Sequence, residues 1–361
     1  MMNYQALHFL LMSVDPIHIG TGGYRLGRVD NSIVREPGTG IPKIPGSSIH
    51  GAARAYAARM YGDLEAAGKD HHNAAHGPAN PVLYTFGTAA ETEMEGEETG
   101  HKSKAFSGVV NVFDAQILFF PAHSLAGPVW VSTIKRLYKA GFEDSDIKID
   151  EEIETGQYKS TLKQTGPINL GWLVLDHAGK VDINPCKNWK EEKRWLEIKN
   201  RIVLVNDKMF SHIVNSNLEV RTSVSIDPHR GAAEEGALFT YEAIPRATFF
   251  TMDVVIDNYR TDRFPDLETI ESFAAWVKNK VPDQMKERMQ ANGWTEAVSI
   301  EAKGHTNSVG LNWHSPKDVF LAGLSHLQWL GVGGMGTRGF GRIAVVGNRC
   351  INEEKERNGT N

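Results

Sequence analysis

Apolar residues along this chain fall into short runs, alternating or nearly continuous, that are cut by glycine-rich turns. "YQALHFLLMSVDPIHI" is apolar and partly alternating and stops at such a turn, which predicts a first strand from about Ala6 to Ile19. After a loop to Pro45, the residues Ile49, Ala52, Ala53, Tyr56, Ala57 and Met60 recur at helical spacing. Pro45 and the Ser47/Ser48 pair open that stripe and Gly62 closes it, so a first helix is predicted there. Residues 62–107 hold no sustained period and read as a surface insertion. Strand character returns in "SGVVNVFDAQILFFP" (107–121), and residues 129–142 read as a strand end feeding a helix.

Residues 144–200 mix charge clusters with a strand in "TGPINLGWLVLD" and a helical "KNWKEEKRWLEIKNRI", and read as a second insertion. Two β-rich runs flank an Asp-Pro-His-Arg-Gly turn within residues 219–244, which predicts a long hairpin whose tip projects. "RATFFTMDVVID" continues as a core strand. Helices are predicted over 267–278, 284–292 and, long and amphipathic, 315–331, ahead of a closing strand in "GRIAVVG". Strands and helices segregate without a regular βαβ alternation, so the expected fold is a single α+β domain with a ferredoxin-like (RRM-like) core and large insertions.

At 361 residues, 41% hydrophobic and 23% charged, the composition is that of an ordinary folded chain. No apolar run approaches the ~18 to 20 residues of a membrane span, and no basic leader opens the chain, so a cytoplasmic protein with no membrane partner is expected. Cys186 and Cys350 lie far apart without a CxxC partner, which signals neither a disulfide framework nor a thiolate zinc site. The net charge of −5 speaks against nucleic acid only until its distribution is read: residues 91–98 alone supply five acids and no base. Basic residues gather in two glycine-rich places. Residues 18–59 hold six Lys and Arg against two acids, and residues 331–349 hold Arg338, Arg342 and Arg349 with no acid.

Both places suit an anion. Glycines between residues 20 and 27 let backbone approach a phosphate, and Ser47 and Ser48 at a helix start offer hydroxyls and free N–H groups, although an ordinary capped helix is the plainer reading. "GVGGMGTRGFGR" carries more glycines than a turn requires, with Arg338 and Arg342 set to meet backbone phosphates. It has neither the Rossmann order nor the Lys-Ser/Thr of a Walker loop. Asp30, followed by Asn31, is a turn former or a carboxylate placed beside that anion. His18 is a structural hydrogen-bonder or an acid–base group. His71, His72 and His76 lie in a loop without a paired acid and read as solvated rather than metal-binding.

Three stretches together resemble the RAMP superfamily of CRISPR-associated proteins, and within it the repeated backbone subunit of type III effector complexes. "PIHIGTGG…VDNSIVREPGTGIPKIPGSSIHGAAR" is similar to that family's glycine loop, catalytic-aspartate turn and helix start. "VNVFDAQILFFPAHSLAGPVWVST" is similar to its DA-containing strand. "SIDPHRGAAEEGALFTYEAIP" with "GVGGMGTRGFGRI" is similar to its thumb hairpin (219–244) and glycine-rich loop (331–342). The Trp-containing segment and "RIVLVNDKMFSHIV" point to the Cmr (type III-B) kind over the Csm kind.

The resemblance implies an endoribonuclease that binds guide RNA and cuts complementary target RNA at regular intervals. Copies of the chain would stack in a filament with other effector subunits. It implies Asp30 as the catalytic residue, a ligand of a divalent metal such as Mg²⁺ or Mn²⁺ or a general base, with His18 and Glu242 as secondary candidates. RNA contacts are expected from Gly22, Gly23, Arg25, Arg28, Ser47, Ser48, His50, Arg54, Arg221, Arg338 and Arg342. His50 stands where the family usually carries lysine, which makes a phosphate contact there weaker and pH-dependent. Two rival readings are a guide-binding backbone that does not cut and a guide-processing endoribonuclease.

Overall fold

The computed structural model describes residues 4–22, 29–68, 80–88, 106–149, 152–184, 193–257, 259–260, 264 and 313–350. The predicted helices over 267–278 and 284–292, the acid run at 91–98 and the histidines at 71, 72 and 76 lie outside them. Eleven strands are numbered here: β1 Tyr4–Ser13, β2 Ala115–Ala122, β3 Val129–Ser132, β4 Gln157–Ser160, β5 Ile168–Leu170, β6 Leu173–Lys180, β7 Ile202–Val205, β8 Glu219–Asp227, β9 Ala232–Ala243, β10 Phe249–Asp257 and β11 Ile343–Cys350. The helices are α1 Gly46–Tyr61, α2 Pro81–Phe86, α3 Ile134–Lys139, α4 Lys193–Ile198, α5 Asp207–Ser216, α6 Pro316–Ser325 and α7 Leu327–Leu330.

One large sheet runs in the order β5-β6-β4-β7-β3-β2-β10-β1-β11. In β1 the side chains of Leu7, Phe9 and Leu11 join the core shared with α1, α2 and α6, while Leu10 and Met12 join a second core on the other face. Both faces are covered, which is why the strand reads as nearly continuous apolar sequence. The neighbours β11, β1, β10 and β2 are mutually antiparallel. In chain order, α1 falls between β1 and β2, and α6 between β10 and β11.

Two segments depart from the expected pattern. The predicted first strand ends at Ser13 rather than Ile19. Pro16 cannot donate to a ladder, and at Ile17 the chain changes partner, bridging Ile244 at the foot of the β8–β9 hairpin. Ile17 and Ile19 stay buried, so the apolar pattern continues although the strand does not. Within the predicted second insertion, strands β4, β5 and β6 extend the main sheet, with Tyr158, Leu170 and Leu175 in its core. The predicted 315–331 helix divides at His326, where the backbone tightens toward 3₁₀ geometry before α7.

Two glycines set how closely the layers approach. A Cβ on Gly46, at the start of α1, would lie 2.2 Å from the Val112 carbonyl oxygen. One on Gly323 in α6 would lie 2.1 Å from the Ala53 carbonyl oxygen of α1. Gly→Ala inside a helix ordinarily stabilises by ~0.5–1 kcal/mol, but at Gly323 the steric term reverses the sign. The Gly323→Ala chain should lose ~1–3 kcal/mol of unfolding free energy, read as a lower denaturation midpoint at unchanged slope. A raised midpoint would show that the two helices can part at no cost.

Candidate nucleic-acid interface

The hairpin of β8 and β9 forms a two-stranded sheet of its own. Its register pairs Val220 with Glu242, Thr222 with Thr240 and Val224 with Leu238, so these share one face. Glu219 and Ala243, Arg221 and Tyr241, and Ser223 and Phe239 share the other. Beyond the Thr222–Thr240 pair, the first face turns apolar while staying in water: Val224 is 39% and Leu238 66% exposed. Ile226, nearer the tip, is exposed as well. Exposed apolar side chains grouped on one face of a two-stranded ribbon mark a contact surface.

Asp30 is fastened to this hairpin. Its Oδ2 accepts from the Thr240 backbone N–H at 2.7 Å and from the Thr240 hydroxyl at 2.9 Å, and its own N–H donates back to that hydroxyl oxygen at 3.1 Å. Next to it, the Asn31 N–H donates to the Thr240 carbonyl and the Glu242 N–H to the Asn31 carbonyl, so this segment runs along the outer edge of β9. The carboxylate is fully exposed, and the Thr240 N–H, then the hydroxyl, hold its pKa below the usual aspartate value. Accepting hydrogen bonds favours the charged form. Asp30 therefore stands ionised throughout the neutral range beside the apolar ridge.

The secondary candidates are engaged in holding the hairpin's foot. His18 is 5% exposed, and its Nδ1 lies 2.6 Å from the Glu242 carbonyl oxygen, with its ring edge-on to Tyr241. The Glu242 carboxylate accepts from Arg35 at 2.9 Å and from the Ile33 N–H at 3.4 Å. Arg35 in turn donates to Asn215 of α5.

The opposite face of the hairpin meets the glycine-rich loop. Phe340 packs edge-on to Tyr241, the Arg221 guanidinium lies 4.7 Å from the Phe340 ring centre, and that of Arg338 lies 5.4 Å from Phe239. Arg342 makes a two-pronged ion pair with Asp15. Part of the glycine content answers to packing: a Cβ on Gly333 would lie 2.3 Å from Ile19 Cδ1, and one on Gly341 2.3 Å from the Val332 carbonyl oxygen. Gly336 and Gly339 face open space beside the exposed Arg338.

The start of α1 is occupied from within. Asp114 accepts from the Gly46 N–H at 2.8 Å and pairs with Lys43, which also holds Glu36. Ser47 is exposed and Ser48 half-buried, and neither hydroxyl caps the helix. His50 packs edge-on against Phe86, and burial, with Arg54 beside it, pushes its imidazole below the ordinary value, so it is neutral at pH 7. Arg54 turns inward: its Nε donates to the Ala66 carbonyl at 2.7 Å, and its Nη2 is buried. Gly22 is exposed with φ +71°, while Gly23, Arg25 and Arg28 lie outside the described residues. Sequence reasoning missed Thr240, an unremarkable strand threonine whose only signal is its register opposite Thr222. It also missed Asp114, although that residue stands in the quoted DA strand.

The chain combines a large mixed sheet with two covered faces, a two-stranded hairpin and a glycine loop folded onto the hairpin's foot. The chain belongs to the RAMP superfamily, whose match spans residues 11–344. Over 288 residues it is 28% identical to the CRISPR system Cmr endoribonuclease Cmr4 of Pyrococcus furiosus, covering 75% of this chain and 87% of that protein. Two cryo-EM structures of the type III-B Cmr-beta complex, one apo and one bound to cognate target RNA, contain a chain of similar fold. In both the TM-score is 0.53 at 13% identity, over 96% of this chain and 98% of the other. No helix among the described residues is long and apolar enough to cross a membrane.

The Asp30–Thr240 contact makes a prediction by titration. Carboxyl-carbon NMR of Asp30 should show a midpoint below the ordinary ~3.9 of aspartate. In Thr240→Val it should move up part of the way, because the hydroxyl bond is lost and the N–H bond kept. An unmoved midpoint would show that the hydroxyl does not act on the carboxylate.

Proposed function

We propose that this chain is a backbone subunit of a type III-B CRISPR effector complex, repeated along a guide RNA beside other subunits, and that it cuts complementary target RNA through Asp30. Similarity to Cmr4 along most of both chains supports the assignment. The strand order β11-β1-β10-β2, with α1 and α6 as its two connecting helices, agrees with a ferredoxin-like (RRM-like) core. The free hairpin is its thumb. The observation that carries the nuclease reading is an exposed, ionised carboxylate bonded to the hairpin one register step from two exposed apolar side chains.

Val224 and Leu238 wedge into the guide–target duplex and unstack a target nucleotide, which frees its 2′-OH to line up behind the adjacent phosphate. The 2′-oxygen bonds to phosphorus as the bond to the 5′-oxygen breaks, leaving a 2′,3′-cyclic phosphate and a 5′-OH. The depressed pKa makes Asp30 a weak base but a good anionic ligand. Among the described residues no group of three or more His, Cys, Asp or Glu could hold a metal, and Thr240 occupies only Oδ2 of Asp30. The free oxygen of Asp30 is a single hard donor, so if a divalent cation binds here Asp30 would be the residue that holds it. When bound, Mg²⁺ or Mn²⁺ would neutralise charge developing on the phosphate.

In the assembled complex, Asp30→Ala should keep guide and target RNA bound and lower complementary-target cleavage by roughly 10²-fold or more. Cleavage by the native complex should stop in EDTA and return with Mg²⁺ or Mn²⁺. Wild-type cutting by the Ala variant would sink the nuclease assignment and leave a backbone that only holds guide RNA. A second expectation concerns the ridge: Val224→Ser with Leu238→Ser should leave the melting temperature unchanged, both sites being exposed, and slow cleavage or blur its regular spacing. Sharp, wild-type cleavage bands from that variant would exclude the wedge.

A further inference from the structure

Thr240 spends its backbone N–H, its hydroxyl and its carbonyl on two residues. The N–H donates to Asp30 Oδ2 at 2.7 Å, the hydroxyl donates to the same oxygen at 2.9 Å, and the carbonyl accepts from the Asn31 N–H at 3.1 Å. The Asp30 N–H donates in return to the Thr240 hydroxyl oxygen at 3.1 Å. That bond takes a lone pair of the hydroxyl and turns its own hydrogen to Oδ2. One oxygen of the carboxylate is thus held by two donors, and nothing on β9 engages the other, Oδ1.

The main chain around Asp30 is fixed by other means. Val29 and Ile33 are buried on either side of it, and the Asn31 carbonyl accepts from the Glu242 N–H at 3.0 Å. These contacts leave the side chain itself free to turn, since Asp30 is exposed and an aspartate has two rotatable bonds. Among the described residues, Thr240 is what holds it. Thr240 is in turn well placed for the task, because a β-branched side chain on a strand has a restricted χ1 and its hydroxyl keeps one direction.

We propose that Thr240 is a positioning residue of the cleavage reaction, holding Oδ2 of Asp30 so that Oδ1 is the oxygen presented to the target strand. This rests on the nuclease reading given above and adds to it the residue that keeps the working carboxylate in place. Thr240 acts through Asp30 and touches no reacting atom. Its contribution is orientation: a carboxylate that swings among rotamers is in line with the phosphate for only part of the time, whereas one held by two donors is in place before the target arrives. Charge is a separate matter. The Thr240 bonds lower the Asp30 pKa, yet an aspartate without them, at ~3.9, is ionised at neutral pH all the same.

The test uses the assembled complex carrying Thr240→Val, which keeps the shape and the backbone N–H bond but removes the hydroxyl, or Thr240→Ser, which returns the hydroxyl on a freer side chain. With saturating complementary target, the single-turnover rate should fall roughly 10-fold in Thr240→Val. Thr240→Ser should recover most of that loss. The Val loss should be the same across the neutral range, while target affinity, the spacing of the cuts and the melting temperature stay at their wild-type values. Unchanged spacing would show the hairpin seated as before. A loss that shrinks as pH rises would trace the effect to ionisation, and blurred spacing or weakened binding would trace it to the hairpin as a whole; either overturns the proposal, as does an equal loss in the Val and Ser variants. Wild-type cutting by Thr240→Val beside an inactive Asp30→Ala complex would remove Thr240 alone, whereas wild-type cutting by Asp30→Ala would remove the nuclease reading with it.

Discussion

Ile17 and Ile244 exchange two backbone hydrogen bonds, each 2.9 Å long, and the functional half of the molecule hangs on that exchange. It takes the chain out of the β1 ladder and lays it against the foot of the hairpin. From there His18 reaches the Glu242 carbonyl, the Gly334 N–H donates to the His18 carbonyl, and the Gly341 N–H donates to that of Pro16. Hairpin and glycine loop are therefore both attached to one short buried stretch as well as to each other, and the aspartate segment is bonded in turn to the hairpin.

What was legible in the sequence follows from where the information is local. β1, α1, the hairpin and the closing strand each carry their own burial pattern, so periodicity finds them. The change of partner at Ile17 leaves no trace in periodicity, because both partners bury the same apolar side chains. The incorporation of β4–β6 into the main sheet is hidden for the same reason, since a half-buried strand looks alike in an insertion and at a sheet edge. Asp30 stands out in the sequence only through resemblance, and the fold shows it exposed and bonded to β9. The residue that orients it, Thr240, is distant by 210 positions and of a type common in any strand. Glycine counting went only half way: Gly333 and Gly341 are small because backbone and side chains pass within touching distance, whereas Gly336 and Gly339 leave space open. Basic-residue counting had a similar limit, because Arg54 is spent on the interior and His50 on Phe86.

Cations around the interface are in the main already answered by carboxylates of the same chain. Lys43 holds Glu36 and Asp114, Arg35 holds Glu242, and Arg342 holds Asp15. This restrains the side chains in the unbound chain, so less rotamer freedom would be lost if a polyanion bound. It also explains how a chain of net charge −5 can present ordered positive groups without a strongly basic composition.

Asp30 is bonded to β9 and not to the sheet beneath it, which has a mechanical consequence. If the hairpin bends, the carboxylate rides with it, and the gap between acid and apolar ridge stays constant as in the jaws of a fixed-gauge tool. Flexing alters where along a nucleic acid the tool is applied, not the distance between its two working edges. A repeating assembly of such chains would transmit its pitch from subunit to subunit while each individual jaw kept its own setting.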